Sequence, residues 1–161
     1  MKPITMLDLG DYLRSQGLDA EIVDPGAHMP TVEAAAAAMG CAADQIFKSI
    51  LFEARDGRCA MAIACGSARV DARRLAALTA LPRLRLAPPD VVLRATGYPA
   101  GGTPPIGHRE RFPVVVDRRV AAQPWGYAGG GRAELLVRIR SADIVTLTAA
   151  LVEDVVSDPP R

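Results

Sequence analysis

The chain has 161 residues, half of them apolar and 23% charged, with a formal net charge of +1. That length predicts one domain able to fill a core, and the even charge balance excludes a protein that grips nucleic acid by bulk charge. Aromatic residues make up only 4%, too few for a broad base-stacking platform, and no apolar run is long enough to cross a bilayer.

The first element expected is a helix from about Thr5 to Gln16, with Met6, Leu9 and Leu13 on one face and Gly17 closing it. Ala20 to Asp24 reads as a short strand, followed by a Pro-Gly loop that holds His28. Thr31 is an N-cap for a helix over Val32 to Met39, and Glu33 in its first turn suits the helix dipole. Gly40 ends that helix. Ile46 to Glu53 and Arg58 to Cys65 form a hairpin about the turn Arg55-Asp56-Gly57. A helix near Asp71 to Thr79, a strand near Leu84 to Leu86 and a brief helix from Pro88 to about Ala95 follow. Thr96 to His108, TGYPAGGTPPIGH, is a shaped loop. Then come a buried strand from Phe112 to Asp117, a short strand over Pro124 to Tyr127, and the interruption Gly129-Gly130-Gly131. A strand from Ala133 to Ile139, a helix from about Ser141 to Ala150, a strand near Val152 to Val156 and a tail from Asp158 to Arg161 complete the chain. Strands outnumber helices, so the fold class is α+β, a single domain with a mixed, curved sheet flanked by helices.

The three cysteines, Cys41, Cys59 and Cys65, form no C-x-x-C pair and read as free thiols in a reducing compartment. The N-terminus lacks the unbroken apolar stretch of a secretion signal, so a cytoplasmic location is expected. Only His28 and His108 offer imidazole, which disfavours a metal enzyme.

Positive charge is almost all arginine: the two lysines are Lys2 and Lys48. A lysine is a compact point charge on a flexible stem, and one standing alone in the body of an arginine-rich chain suggests a position where a planar fork does not fit. Strand alternation puts Lys48 with Ile46, Ile50 and Phe52, taken as the more apolar face. An ammonium there needs an anion, hydrogen bonds or a cleft; the bland alternative is a side chain that snorkels to the edge.

The loop from Thr96 to His108 combines glycines, whose amides can approach a ligand, with stiffening prolines, and so suits a carboxylate, phosphate or oxyanion; a plain connection is the alternative. It is neither a phosphate-binding P-loop nor a dinucleotide fingerprint. Gly129 to Gly131 permit close backbone approach or a tight bend. Asp117 orients a site residue or caps the next turn, and His108 is an acid/base candidate or a surface residue. No covalent nucleophile is signalled.

In this order the features resemble the YbaK/ProX family, free-standing relatives of the editing domain inserted in bacterial prolyl-tRNA synthetases. The resemblance is carried by Thr31-Val32-Glu33-Ala34-Ala35, by Gln45 to Phe52 with its single Lys48, and by Thr96-Gly97-Tyr98-Pro99-Ala100-Gly101-Gly102. The G-x-x-P-x-G string from Gly102 to Gly107, the stretch Pro113 to Asp117 and Gly129 to Arg132 complete it. It implies hydrolysis in trans of the ester joining a wrong, small amino acid to tRNA, usually tRNA(Pro), with no metal or organic cofactor. The partners implied are the acceptor end of an aminoacyl-tRNA and a synthetase such as prolyl-tRNA synthetase; a membrane is not among them. Lys48 becomes the essential lysine, anchoring the terminal nucleotide or orienting the aminoacyl group. Gly102, Pro105 and Gly107 become the loop beside the ester, and Gly129, Gly130 and Gly131 the facing wall. His28, Thr31, Ser49, His108, Asp117 and Tyr127 complete the substrate-binding set; Tyr127 or Gly126 stands where relatives carry a small polar residue. The alternative is a non-catalytic module of this fold that binds a nucleotide, an amino acid or a synthetase.

Overall fold

The hairpin about Arg55-Asp56-Gly57 is the centre of the fold. In the computed structural model, which describes residues 4–158, its strands are β2 (Phe47–Ala54) and β3 (Cys59–Cys65), in antiparallel register from Phe47 opposite Cys65 to Glu53 opposite Cys59. Lys2 and residues 159–161 of the expected tail lie outside the described residues.

Around the hairpin lie β1 (Glu21–Val23), β4 (Leu84–Leu86), β5 (Val114–Asp117), β6 (Trp125–Gly129), β7 (Leu136–Arg140) and β8 (Leu151–Glu153). The helices are α1 (Leu9–Gln16), α2 (Val32–Met39), α3 (Ala72–Thr79), α4 (Pro89–Thr96), α5 (Arg118–Ala121) and α6 (Ser141–Thr148). The mixed sheet has the order β4-β2-β3-β5-β8, with β5 parallel to β3 and β8. Three further strands form an antiparallel sheet, β1-β7-β6, joined to the first where Ile46 bridges Tyr127.

The larger core fills the space between the sheets. Phe47, Leu51, Met61 and Ile63 meet Ala128, Val137 and Ile139 there, all buried. The other face of the mixed sheet holds a smaller cluster, with Phe52, Ala60, Ala62 and Val115 under Leu75 of α3. The expected alternation of β2 holds, but the expectation that Lys48 lies on the more apolar face is corrected, because the larger core is on the opposite one. Phe47 and Leu51 point into the larger core, and Lys48 shares its face with Ile50 and Phe52 over the smaller cluster.

Local signals set most element ends. Thr31 Oγ1 accepts from the Ala34 N–H (3.1 Å), and Gly40 closes α2 at φ 64°. The expected start of α1 at Thr5 is corrected to Leu9: Asp8 is the cap, its carboxylate accepting from the Asp11 N–H at 2.9 Å. Met6, expected on the buried face, is 47% exposed. The strand read over Pro124 to Tyr127 runs on through Gly129, and the next begins at Leu136, three residues later than Ala133. The strand expected near Val152 to Val156 is β8, Leu151–Glu153; Val156 instead bridges Val70.

A candidate site at the open edge of the central hairpin

Lys48 sits near the start of β2, half-buried, in a cleft of about 310 Å³. One wall is β2 itself, from Phe47 to Ile50. A second is the start of α2, with Thr31, Val32 and Ala35, and a third is formed by Gly101, Thr103 and Gly129. Of the residues expected from the sequence, the cleft brings together Lys48, Ser49, Thr31 and Gly129.

The ammonium does not float free. Lys48 Nζ donates to the carbonyl of Ala68 at 2.6 Å, in the turn after β3. The neighbouring Ser67 hydroxyl donates to Glu33 Oε1, also at 2.6 Å, which ties that turn to α2. Burial pushes the Lys48 pKa below the ordinary lysine value, against the opposing influence of Cys65 and Glu33. Glu33 is held below the usual carboxylate range, first by the Ser67 hydrogen bond. The Ser49 hydroxyl oxygen is buried and has no hydrogen-bond partner. Ala68, Gly101 and Thr103 were not picked out as site residues by sequence reasoning. Gly101 and Thr103 lie inside the flagged loop, but no sequence signal marks Ala68.

The glycines permit a close backbone approach, and it is made to another part of the chain. A Cβ on Gly102 would stand 2.7 Å from Arg132 Cα, and one on Gly129 would stand 2.7 Å from the Thr103 carbonyl carbon. The Gly131 N–H donates to the Gly102 carbonyl at 2.8 Å. The two glycine segments thus pack against each other, backbone on backbone. Gly101, Thr103 and Gly129 line the cleft, whereas Gly102, Gly130, Gly131 and Pro105 are not among its lining residues.

The remaining expected residues lie elsewhere. Gly107 and His108 line a separate cavity of about 620 Å³ with Tyr12 and Phe112. His108 Nε2 is 2.8 Å from the Pro104 carbonyl, and burial lowers its pKa, which keeps the ring neutral. Asp117 is 1% exposed, and its carboxylate accepts from the N–H groups of Arg119 (3.0 Å) and Val155 (2.9 Å), so it is a cap. Tyr127 packs edge-on to Trp125, and His28 is exposed.

The chemistry offered is polar and non-covalent. Burial pushes the Cys65 thiol up to about 11, which keeps it protonated at neutral pH. Among the described residues no group of three or more His, Cys, Asp or Glu is placed to hold a metal ion, and no helix is long and apolar enough to cross a membrane.

Residues 27–147 match the aminoacyl-tRNA editing domain family. Over 119 residues the chain is 32% identical to the proline–tRNA ligase of Nitratidesulfovibrio vulgaris (strain DP4), covering 74% of this chain and 20% of the ligase. A proline–tRNA ligase of Solidesulfovibrio magneticus is 32% identical over 133 residues, 80% of this chain and 22% of that one. The chain thus spans about a fifth of the length of these relatives. Among solved structures it resembles one described as a proposed trans-editing enzyme for prolyl-tRNA synthetase, with TM-score 0.84 and 30% identity, over 93% of this chain and 95% of that one.

Proposed function

The chain belongs to the aminoacyl-tRNA editing domain family, and from that premise we propose that it hydrolyses, in trans, the ester between a small wrong amino acid and its tRNA. The substrate class is a mischarged tRNA, tRNA(Pro) first, and its acceptor end enters the cleft beside Lys48. Support for tRNA(Pro) comes from the proline–tRNA ligases and the trans-editing structure among the relatives. A synthetase, prolyl-tRNA synthetase first, is the protein partner this reading implies, and the cytoplasm is the place where such a substrate is met.

An aminoacyl ester is already reactive, so its hydrolysis needs a placed water and a stabilised oxyanion more than a strong nucleophile. Water oxygen bonds to the acyl carbon, the bond from that carbon to the ribose oxygen breaks, and the departing ribose oxygen takes a proton from the water to become the free hydroxyl, leaving the free amino acid. The Gly102 N–H is taken up by the Pro99 carbonyl at 2.9 Å. The amides of Gly101 and Thr103, on the wall facing β2, are then the oxyanion donors of this loop. Lys48 anchors the terminal nucleotide's phosphate or hydroxyl as a point charge.

The observation that carries the reading is the placement of the lone body lysine, half-buried, in one cleft with Gly101, Thr103 and Gly129. The test incubates the protein with tRNAs charged with Ala, Cys, Ser, Thr or Pro and follows loss of the aminoacyl group. Turnover of one mischarged species that falls about 10- to 100-fold in Lys48→Ala supports the deacylase. Binding without ester loss supports the non-catalytic module instead.

A further inference from the structure

Four consecutive residues of β2, Phe47 to Ile50, line the cleft. Side chains of a strand alternate between faces, so four in a row can line one hollow only if the strand presents its edge to it. The hydrogen bonds show which atoms stand on that edge. The Ile46 carbonyl accepts from the Gly66 N–H, and the Ala54 N–H donates to the Arg58 carbonyl, both on the β3 side. By the antiparallel alternation, even-numbered residues of β2 turn their N–H and C=O toward β3, and odd-numbered ones turn theirs away. The Leu51 carbonyl confirms the second half of that rule, accepting from the Ala87 N–H on the far side at 3.0 Å.

Among the described residues, on that far side β4 pairs only with Phe52 to Ala54, and the antiparallel sheet pairs only through the bridge at Ile46. Ser49 lies in the gap. Its N–H and C=O point into the cleft with no strand to receive them. A stretch of unpaired strand edge is a template for a main chain.

We infer that the open edge at Ser49 binds the main-chain atoms of the esterified amino acid, as one residue of a β-bridge. The Ser49 carbonyl accepts from the substrate's α-ammonium, and the Ser49 N–H donates to the acyl carbonyl that becomes the oxyanion. This rests on the deacylase reading and sharpens it. The ligand class is an α-amino acyl group with a free ammonium, recognised by backbone whatever its small side chain, and N-blocked acyl groups are rejected. The Ser49 hydroxyl on the same residue is buried and unpartnered.

The test uses the full chain and three non-hydrolysable adenosine 3′-amides carrying alanine, N-acetylalanine or lactic acid. Titration calorimetry gives their affinities, and amide hydrogen exchange at Ser49 reports the contact. The alanyl compound is expected to bind about 10- to 100-fold more tightly than the N-acetyl one, because a hydrogen bond to an ionised group is lost. The lactyl compound, which keeps a neutral donor, falls between them, and Ser49 exchange slows in the alanyl and lactyl complexes, whose acyl carbonyls both accept from its N–H. Equal affinity for all three, no binding of any, or unchanged Ser49 exchange in the alanyl complex overturns the inference. Deacylation of tRNA(Pro) charged with Ala, Cys, Ser or Thr by the same preparation is read separately: tight, ammonium-dependent binding with no loss of any of these esters upholds the edge contact and refutes the deacylase.

Discussion

Gly101 and Gly102 are chain neighbours with opposite predicted fates. A methyl group on Gly102 enters the backbone of Arg132, with Cα and N both at 2.7 Å, and cannot be relieved by rotating a side chain. A methyl group on Gly101 meets only Ala133 Cβ at 3.8 Å, ordinary contact distance. Neither residue has a positive φ, so the contrast is one of space and not of backbone strain. Overpacking of this kind costs about 1–3 kcal/mol, and a clash with backbone belongs at the top of that range. At about 2–4 °C per kcal/mol for a chain of this size, Gly102→Ala lowers Tm by roughly 6–12 °C. Gly101→Ala is expected to shift Tm by no more than about 2 °C. Scanning calorimetry of the two variants beside the parent protein decides the matter. Equal Tm values would refute the claim that Gly102 serves the backbone contact between the two glycine segments.

Three further outcomes are expected. Lys48→Ala lowers kcat/KM for deacylation about 10- to 100-fold, the worth of a charged hydrogen bond, and Lys48→Arg does not restore it because the planar fork needs more width; single-turnover kinetics on mischarged tRNA measures both. Burial depresses the His108 pKa, so the unfolded chain binds the proton first; stability is full above about pH 6.5 and falls as the pH drops through the folded value. In His108→Gln, which can still donate to Pro104, that acid limb of a Tm-against-pH curve flattens. Asp117→Ala removes a helix cap and strands the Val155 N–H, costing about 2–4 kcal/mol in a urea titration, while kcat/KM per folded molecule is unchanged.

Much of the fold could be read from short-range signals. Thr31 and Gly40 bound α2 because capping and the left-handed stop are written in single residues. The hairpin turn at Arg55-Asp56-Gly57 was equally local, with the Gly57 N–H bonded to the Ala54 carbonyl. What could not be read depended on distant partners. Gly129 looks like an interruption, yet it lies inside β6 with Gly126. The Phe47 ring and the Thr103 carbonyl occupy the space where their side chains would stand. The four-residue α5 carries too little periodicity to be seen, and Asp117 caps it.

The site divided in the same way. The singularity of Lys48 was visible, because one lysine among arginines is a compositional fact. Its acceptor is a main-chain carbonyl twenty residues on, and nothing in the identity of Ala68 announces it. The loop from Thr96 to His108 was rightly seen as shaped, but it serves two places. Its Gly101 and Thr103 reach the cleft, while Gly107 and His108 turn to the cavity beside Tyr12. Composition marks a special loop and not which amide faces which hollow.

The most direct test is a crystal structure with a non-hydrolysable aminoacyl-adenosine amide bound. The account predicts the acyl carbon between the Ser49 edge and the Gly101–Thr103 wall, with Lys48 Nζ turned to the terminal nucleotide. Density for the compound beside His108 and Phe112, with the Lys48 cleft unchanged, would contradict it.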